Sequence, residues 1–458
     1  MSRLDVMDAS FHYASTDVSR DQYVLLAFDW HFQTPASFTE MSAFVRARAT
    51  RIPELGRRLQ EVPLDLDYPR WVRDERLGDD ACPIVEMSAH TWDEVERHLG
   101  QLIRTPVHAT VAPWRLHIAR GVEGVPHGRG TSTVVIFQVS HALVDGRGAS
   151  RLARLLFAPN LDEMSVSSDD ADSPGSQLPT ASAALIALPF RLAWARLKAG
   201  HARRTFVRAH GTVPGGRDAP RPAVRGNADP TAARVVHVVP TPPGAVKGAD
   251  FSVTTLALTA VSLATDRFLS NVGDCTPSTL NALVPMALPD DVRWPAANRI
   301  VNGTVDLYVG IDDLRERAAA IRASLSAARR DVVDPLLTAW ISAENLIPAP
   351  IFLAVGKLRA RRSTPSHDLP QSVITNVTVV SVDRGDTDLS LCGARPLFTA
   401  GFPMLGSTRS ISHGFYGIGD TVTVCITACP DTFPEHARYA EILEKAVADV
   451  VAATTAEI

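Results

Sequence analysis

The stretch VVIFQVSHALVDGRGASRLARLL, Val134–Leu156, carries a strand, a turn and a helix in direct succession. Val134–Val139 is a short apolar run of β-formers, the pattern of a buried strand. Leu152, Leu155 and Leu156 recur at three- and four-residue spacing, which marks the inner face of a helix. Between them lies SHALVDG. Asp145 stands where a helix N-cap belongs, and Gly146 would ease the backbone at the bend. His141 is then either an incidental turn residue or a base. An imidazole with a pKa of about 6.5 can take a proton from an alcohol or amine as it attacks a carbonyl. Asp145 points the other way along the turn. It suits holding the loop through an arginine better than relaying charge to His141.

Working outward, QYVLLAFDWHF (22–32) reads as a strand and FTEMSAFVRARATRI (38–52) as a helix, with Phe38, Met41, Phe44 and Val45 on one face. After the motif helix the composition changes. SVSSDDADSPGSQLPT (165–180) is a linker by its Ser, Asp and Pro content. The segment 181–210 that follows is a basic, partly amphipathic helix with Arg191, Arg196, Lys198, Arg203, Arg204 and Arg208. No acidic residue occurs between Asp172 and Asp218. Such a helix either lies on an anionic membrane surface or bridges two domains in solvent. A second linker, rich in Gly and Pro, occupies 211–230.

The second half begins near residue 232. ARVVHVVPT (233–241) reads as a strand and DDLRERAAAIRASLSAARRD (312–331) as a helix, acidic at its start and basic at its end. ISHGFYGIGDTVTVCITAC (411–429) reads as a hairpin turning at Gly419-Asp420, its second arm alternating. A closing helix follows, with Pro434 in its first turn. The divisions are therefore 1–165, a linker with a basic helix over 166–231, and 232–458. Both halves mix strands and helices, and no residue-level repeat relates them.

At 458 residues the chain can bury two or three cores. A net charge of -4 gives no reason to expect nucleic-acid binding. The opening MSRLDVMDAS lacks the pattern of a secretory signal. Cys82, Cys275, Cys392, Cys425 and Cys429 are scattered and form no zinc pattern, so reduced thiols, a cytoplasmic location and no bound metal are expected. No apolar run reaches the roughly 20 residues of a membrane span. The nearest, Leu337–Gly356, is broken by Glu344, Pro348 and Pro350 and reads as a buried helix–loop–helix in preference to a membrane dip.

SHALVDG resembles the HHxxxDG signature of the wax ester synthase/diacylglycerol acyltransferase family, within the CoA-dependent acyltransferases and condensation domains. Further segments resemble that family in the same order. They are MDASFHYAS (7–15), RIPELGRRLQEVPLDLDYPRWVRDE (51–75), APWRLHIARGVEG (112–124), LVPMALPDD followed by Asn298-Arg299, ITNVTVVSV (374–382), and LCGARPLFTAGFPML (391–405). The resemblance implies an α/β fold of two chloramphenicol-acetyltransferase-like halves with an active-site tunnel at their interface. It implies acyl transfer from acyl-CoA, as co-substrate, to a hydroxyl, with no bound cofactor and no covalent intermediate. His141 falls on the family's general base, Asp145 on its structural aspartate, and Gly146 on its glycine.

Three departures surround this site. The first motif histidine is Ser140. The family's Asn-Asp pair in the helix opening the second half is Thr254-Thr255. Its Pro-Gly-Pro is Thr378-Val379-Val380, so the backbone there should continue as strand. Scaffold segments match while site motifs drift, which suits a changed acceptor, such as a specialised metabolite, better than bulk storage lipid. A donor carried on an acyl carrier protein, with ester or amide formation, is the alternative, and a non-catalytic acyl-binding relative a third. Asn376, Thr254 and Ser140 are candidates for substrate or oxyanion support, and Arg299 for the partner of Asp145. His413 and Trp114 read as core residues, and Ile347–Val355 as core or acyl tunnel. The partners expected are a small-molecule or lipid alcohol and, through the helix at 181–210, a carrier protein or the inner face of a membrane.

Overall fold

The structure, a computed structural model, describes the chain apart from residues 1, 16–17, 31–32, 75–82, 160–180, 212–219, 247–249, 363–365 and 456–458. Cys82, the linker at 165–180 and part of the linker at 211–230 lie outside the described residues.

Two large sheets organise the molecule. The first runs β14-β2-β7-β6-β5, where β2 is Gln22–Asp29, β5 Ile84–Glu86, β6 Trp114–Val122, β7 Ser132–Val139 and β14 Arg395–Ala400. The second runs β11-β10-β13-β15-β16-β9, where β9 is Val235–Pro240, β10 Asn281–Ala287, β11 Ile300–Asp306, β13 Val377–Asp383, β15 Ile411–Ile418 and β16 Thr421–Ala428. Small sheets unite β1 (Ser2–Arg3), β4 (Arg70–Arg73) and β3 (Arg57–Gln60), and β12 (Ser372–Val373) with β8 (Arg221–Pro222). The helices are α1 Val6–Ala14, α2 Phe38–Ala49, α3 Trp92–Leu102, α4 Gly146–Phe157, α5 Ala181–His210, α6 Val253–Asn271, α7 Leu314–Val332, α8 Pro335–Glu344, α9 Ala349–Arg362 and α10 His436–Thr454.

The near-continuous apolar run of β2 has a structural cause. Val24, Leu26 and Phe28 enter a core with Phe137, Leu152 and Leu156 of the first half. Tyr23, Leu25 and Ala27, on the opposite face, enter another core with Val236, Val238, Phe398, Tyr416 and Cys425. Strands buried on both faces lose the apolar–polar alternation of a half-exposed strand. The same holds for the hairpin β15–β16, which turns at Gly419 with both arms buried throughout. The alternating Thr residues of its second arm therefore do not face water. Thr423 and Thr427 share a face with Cys425, and their hydroxyls are buried without partners.

The second half has its own core, built by α6, α7 and α10 on their sheet, including Leu258, Phe268, Ile321, Phe415 and Leu443. One strand breaks the chain-order division: β14, late in the sequence, pairs antiparallel with β2 in the first sheet, Ala400 opposite Leu25. Thr378-Val379-Val380 does continue as strand, in β13. Two local expectations are corrected. Pro434 precedes the Glu435 N-cap of α10 instead of entering its first turn. The pair α8–α9 is a helix–loop–helix bent by 86°, but it is not buried throughout, since Val355 and Leu358 on α9 are exposed.

Candidate active site

The motif turn is built almost entirely from its own backbone. Ser140 N–H, leaving β7, donates to the Pro113 carbonyl at 2.7 Å. Leu143 N–H donates to the Ser140 carbonyl at 2.9 Å, closing a turn that contains His141. Ser140 Oγ accepts from Ala142 N–H at 3.3 Å, so this hydroxyl supports the turn. Asp145 then caps α4, its Oδ1 accepting from Gly148 N–H at 2.8 Å. The expected role of Gly146 moves two residues. Its φ is not positive, and a Cβ there would meet only ordinary contacts at 3.8 Å, with Gln22 and Val382. A Cβ on Gly148 would approach Val144 Cβ to 2.7 Å, so the close approach requires glycine at 148.

The second half grips this turn at several points. Asp145 Oδ2 accepts from the backbone N–H of Arg299 at 3.0 Å. The expected side-chain pairing of Arg299 with Asp145 is not made. Its guanidinium donates to the carbonyls of Pro289 and Val292 at 2.6 and 2.7 Å, holding the loop between β10 and β11. Asn298 Nδ2 donates to the carbonyl of His141 at 2.7 Å and to Asp8 Oδ1 at 2.7 Å. Asp8, on α1, also accepts from Ala297 N–H at 2.8 Å and Asn298 N–H at 3.1 Å. One turn along α1, the Phe11 ring stacks on the His141 imidazole, centroids 3.8 Å apart and planes within 2°. From below, Arg384 Nη1 donates to Ser150 Oγ at 3.0 Å, and Ser150 Oγ donates to the Gly146 carbonyl at 2.8 Å.

His141 is 3% exposed. Burial pushes its pKa down to about 4, against the opposing effects of its own carbonyl, the Asn298 side chain and the Asp145 charge. Its Nδ1 is buried without a hydrogen-bond partner, as is Asn298 Oδ1. The ring is thus neutral near pH 7, which a proton acceptor requires. Burial likewise raises the Asp8 carboxyl to about 6, against the hydrogen bonds from Asn298 and Ala297. Arg384 is buried, its Nη2 donating to the Tyr23 and Ala400 carbonyls, and burial lowers its pKa to about 10.

The remaining candidates lie elsewhere or are otherwise engaged. Asn376 sits before β13, where Nδ2 donates to the Pro222 carbonyl and Asn227 Oδ1, and Oδ1 accepts from Asn281 N–H. Both amide hydrogens are used, leaving none for an oxyanion. Thr254 is half-buried in the first turn of α6, where its neighbour Thr255 bonds the Ser252 cap. His413 is a satisfied core residue, bonded to the Thr378 carbonyl at 3.0 Å and the Tyr439 hydroxyl at 2.8 Å. Trp114 packs the core and donates to the Leu55 carbonyl. Ile347 and Phe352 pack against the first-half core. Asp8, Phe11, Asn298 and Arg384 are the site residues that motif reading missed. Asp8 and Asn298 lay inside segments already matched, but nothing in their spacing shows that they meet. Among the described residues no group of three or more His, Cys, Asp or Glu could hold a metal ion.

Comparison with known proteins identifies the family and the fold. Residues 4–261 match the wax ester synthase/diacylglycerol acyltransferase catalytic domain, and residues 296–450 match the C-terminal domain of the same proteins. A Mycobacterium tuberculosis protein named as a diacylglycerol O-acyltransferase is 24% identical over 377 residues, 78% of this chain and 79% of the relative. The wax ester synthase/diacylglycerol acyltransferase from Marinobacter aquaeolei VT8 superposes with a TM-score of 0.61 at 18% identity, covering 98% of each chain. The starter condensation domain of rhizomide synthetase, in a complex with C8-CoA, superposes with a TM-score of 0.55 at 12% identity, covering 99% of this chain and 95% of that one. The fold is thus that of two chloramphenicol-acetyltransferase-like α/β halves, and the chain belongs to the wax ester synthase/diacylglycerol acyltransferase family.

Proposed function

We propose that this protein is an O-acyltransferase that moves an acyl group from acyl-CoA to an alcohol, with His141 as general base. The observation that carries the reading is a buried, neutral histidine in a motif turn gripped from both halves of an acyltransferase fold. The acceptor hydroxyl attacks the thioester carbonyl while His141 takes its proton. A carbon–oxygen bond forms, the carbon–sulfur bond breaks, and the proton returns to the departing CoA sulfur. Proximity and proton removal supply the rate, with no acyl-enzyme needed because a thioester is already activated.

Asn298 and Asp8 act as positioning residues. Asn298 Oδ1 and His141 Nδ1 are both buried orphans on residues already joined through the His141 carbonyl. In the working enzyme Nδ1–H donates to Oδ1, which leaves Nε2 as the base. Asp8 holds the Asn298 amide in that orientation. Ser140 shapes the turn.

Drift at Ser140, Thr254-Thr255 and Thr378–Val380, beside an intact His141, Asp145 and Gly146, supports an acceptor that is a polyfunctional alcohol over bulk storage lipid. The test is acceptor-dependent release of CoA from acetyl- to palmitoyl-CoA over a panel of alcohols, comparing the wild type with His141→Ala. Release that needs acceptor and vanishes in the variant supports the assignment. No release from any donor by folded protein overturns the CoA-dependent form. Turnover of acyl groups on a carrier protein would then favour the condensation-type alternative.

A further inference from the structure

The basic helix α5 is fixed to the body along one face. Ala195 and Phe206 are buried, and the Phe206 ring packs on Trp340 of α8 with centroids 5.7 Å apart. His210 bonds Asp334 at 2.9 Å, and Arg191 pairs with Asp67 of the first half at 3.4 Å. With this face attached, helical periodicity sends Phe190, Trp194 and Leu197 to the opposite side. They are 76%, 52% and 69% exposed, the largest apolar side chains on the outer face of the helix. His201, Arg204 and Arg208 continue the same stripe toward the C-terminus, all exposed. Lys198 lies with its Nζ 5.0 Å from the Trp194 ring centroid.

A helix that merely bridged two domains would show solvent a polar outer face. This one presents a Phe, a Trp and a Leu in register, flanked by cations. Arg196, Lys198, Arg203, Arg204 and Arg208 form no ion pair among the described residues, and no acidic residue occurs between Asp172 and Asp218. Large apolar side chains beside uncompensated cations match the boundary between phospholipid headgroups and acyl chains. An acidic protein partner would match the cations alone and leave the three apolar side chains unexplained.

We propose that the outer face of α5 docks the protein, lying flat, on an anionic phospholipid surface, with Phe190, Trp194 and Leu197 inserted and Lys198, Arg204 and Arg208 against the headgroups. This goes beyond the catalytic assignment and does not depend on it. The site would then work beside the phase in which long acyl chains concentrate.

The test is cosedimentation of the full chain with vesicles of phosphatidylcholine alone or mixed with phosphatidylglycerol, at low and high salt. The wild type should bind the mixed vesicles, less so at high salt. The variant Phe190→Ser/Trp194→Ser/Leu197→Ser should bind about 30-fold more weakly. Lys198→Gln/Arg204→Gln/Arg208→Gln should lose the preference for the anionic lipid. Thermal melting of each variant checks folding, and because these residues face away from the body, melting and turnover of a water-soluble acyl-CoA and alcohol should stay at wild-type values. A wild type that binds neither vesicle overturns the proposal, as does a folded serine variant that binds undiminished. Retention of an acidic carrier protein by wild-type α5, without vesicle binding, would overturn it in favour of a protein partner. Because binding is read without turnover, failure here is distinguishable from failure of the acyltransferase assignment.

Discussion

At His141 the identity of the side chain and its surroundings act together. A free imidazole would be partly protonated near its ordinary pKa of about 6.5. Burial under Phe11 and between the halves lowers it to about 4. The activity profile should therefore show no loss assignable to His141 down to about pH 5. Because the folded-state pKa lies below the ordinary value, this group's contribution to stability is complete above about 6.5. It is lost as pH falls toward 4, since only the unfolded chain takes up the proton there. Asp8 titrates nearer 6, where protonation would remove an acceptor from the Asn298 network. An acid limb in kcat near pH 6 is expected from Asp8, and a kcat–pH profile without one would refute its positioning role. Asp8→Ala leaves the donors at Ala297 and Asn298 unpaired and should cost about 2–5 kcal/mol in chemical denaturation. Asn298→Leu should lower kcat far more than it raises KM, because it disorients the base without touching bound substrate.

Among the elements, α4 depends on how closely its first turn packs on Val144 of the motif turn. The two glycines of Asp-Gly-Arg-Gly differ in need. Gly148→Ala forces a methyl into Val144 and should destabilise by about 1–3 kcal/mol, read as a lowered urea midpoint. Gly146→Ala meets only ordinary contacts and should change stability by no more than about 0.5 kcal/mol. Equal losses in the two variants would show that the turn is governed by backbone freedom instead of by this contact. Secondary structure was largely legible in the residues. The apolar run of β7, the periodicity of α2 and α7 and the Gly419-Asp420 turn all appear where local pattern places them. The threonine alternation of β16 marks no solvent face, because this strand is covered on both sides.

For the whole molecule, the crossover strand β14 matters most. It completes the first sheet from the second half of the chain, and Arg384 ties its Ala400 carbonyl to Ser150 on α4 and to Tyr23 on β2. A fragment ending at residue 159 would expose the edge of β2 and the apolar face of Tyr23, Leu25 and Ala27. It should aggregate in size-exclusion chromatography where the full chain remains in solution. A monomeric fragment with native-like circular dichroism would show that the first half completes its own core. Arg384→Met keeps the bulk but leaves the Ala400 and Tyr23 carbonyls without their donor. It should lower the melting temperature and raise hydrogen exchange across β14.

Strand and helix positions, the capped turn at Asp145 and the place of His141 in it follow from contacts within a few residues, and such contacts are written in the order of the chain. The family resemblance was legible for a similar reason, as collinear segments each readable alone. The meeting of Asp8 with Asn298, the turn of the Arg299 guanidinium toward its own loop and the commitment of the Asn376 amide were decided only by tertiary structure. Each depends on which donors and acceptors burial brings within about 3 Å of one another, and that follows from how the chain packs, whether the partners lie ten positions apart, as for Arg299 and Pro289, or 290, as for Asp8 and Asn298.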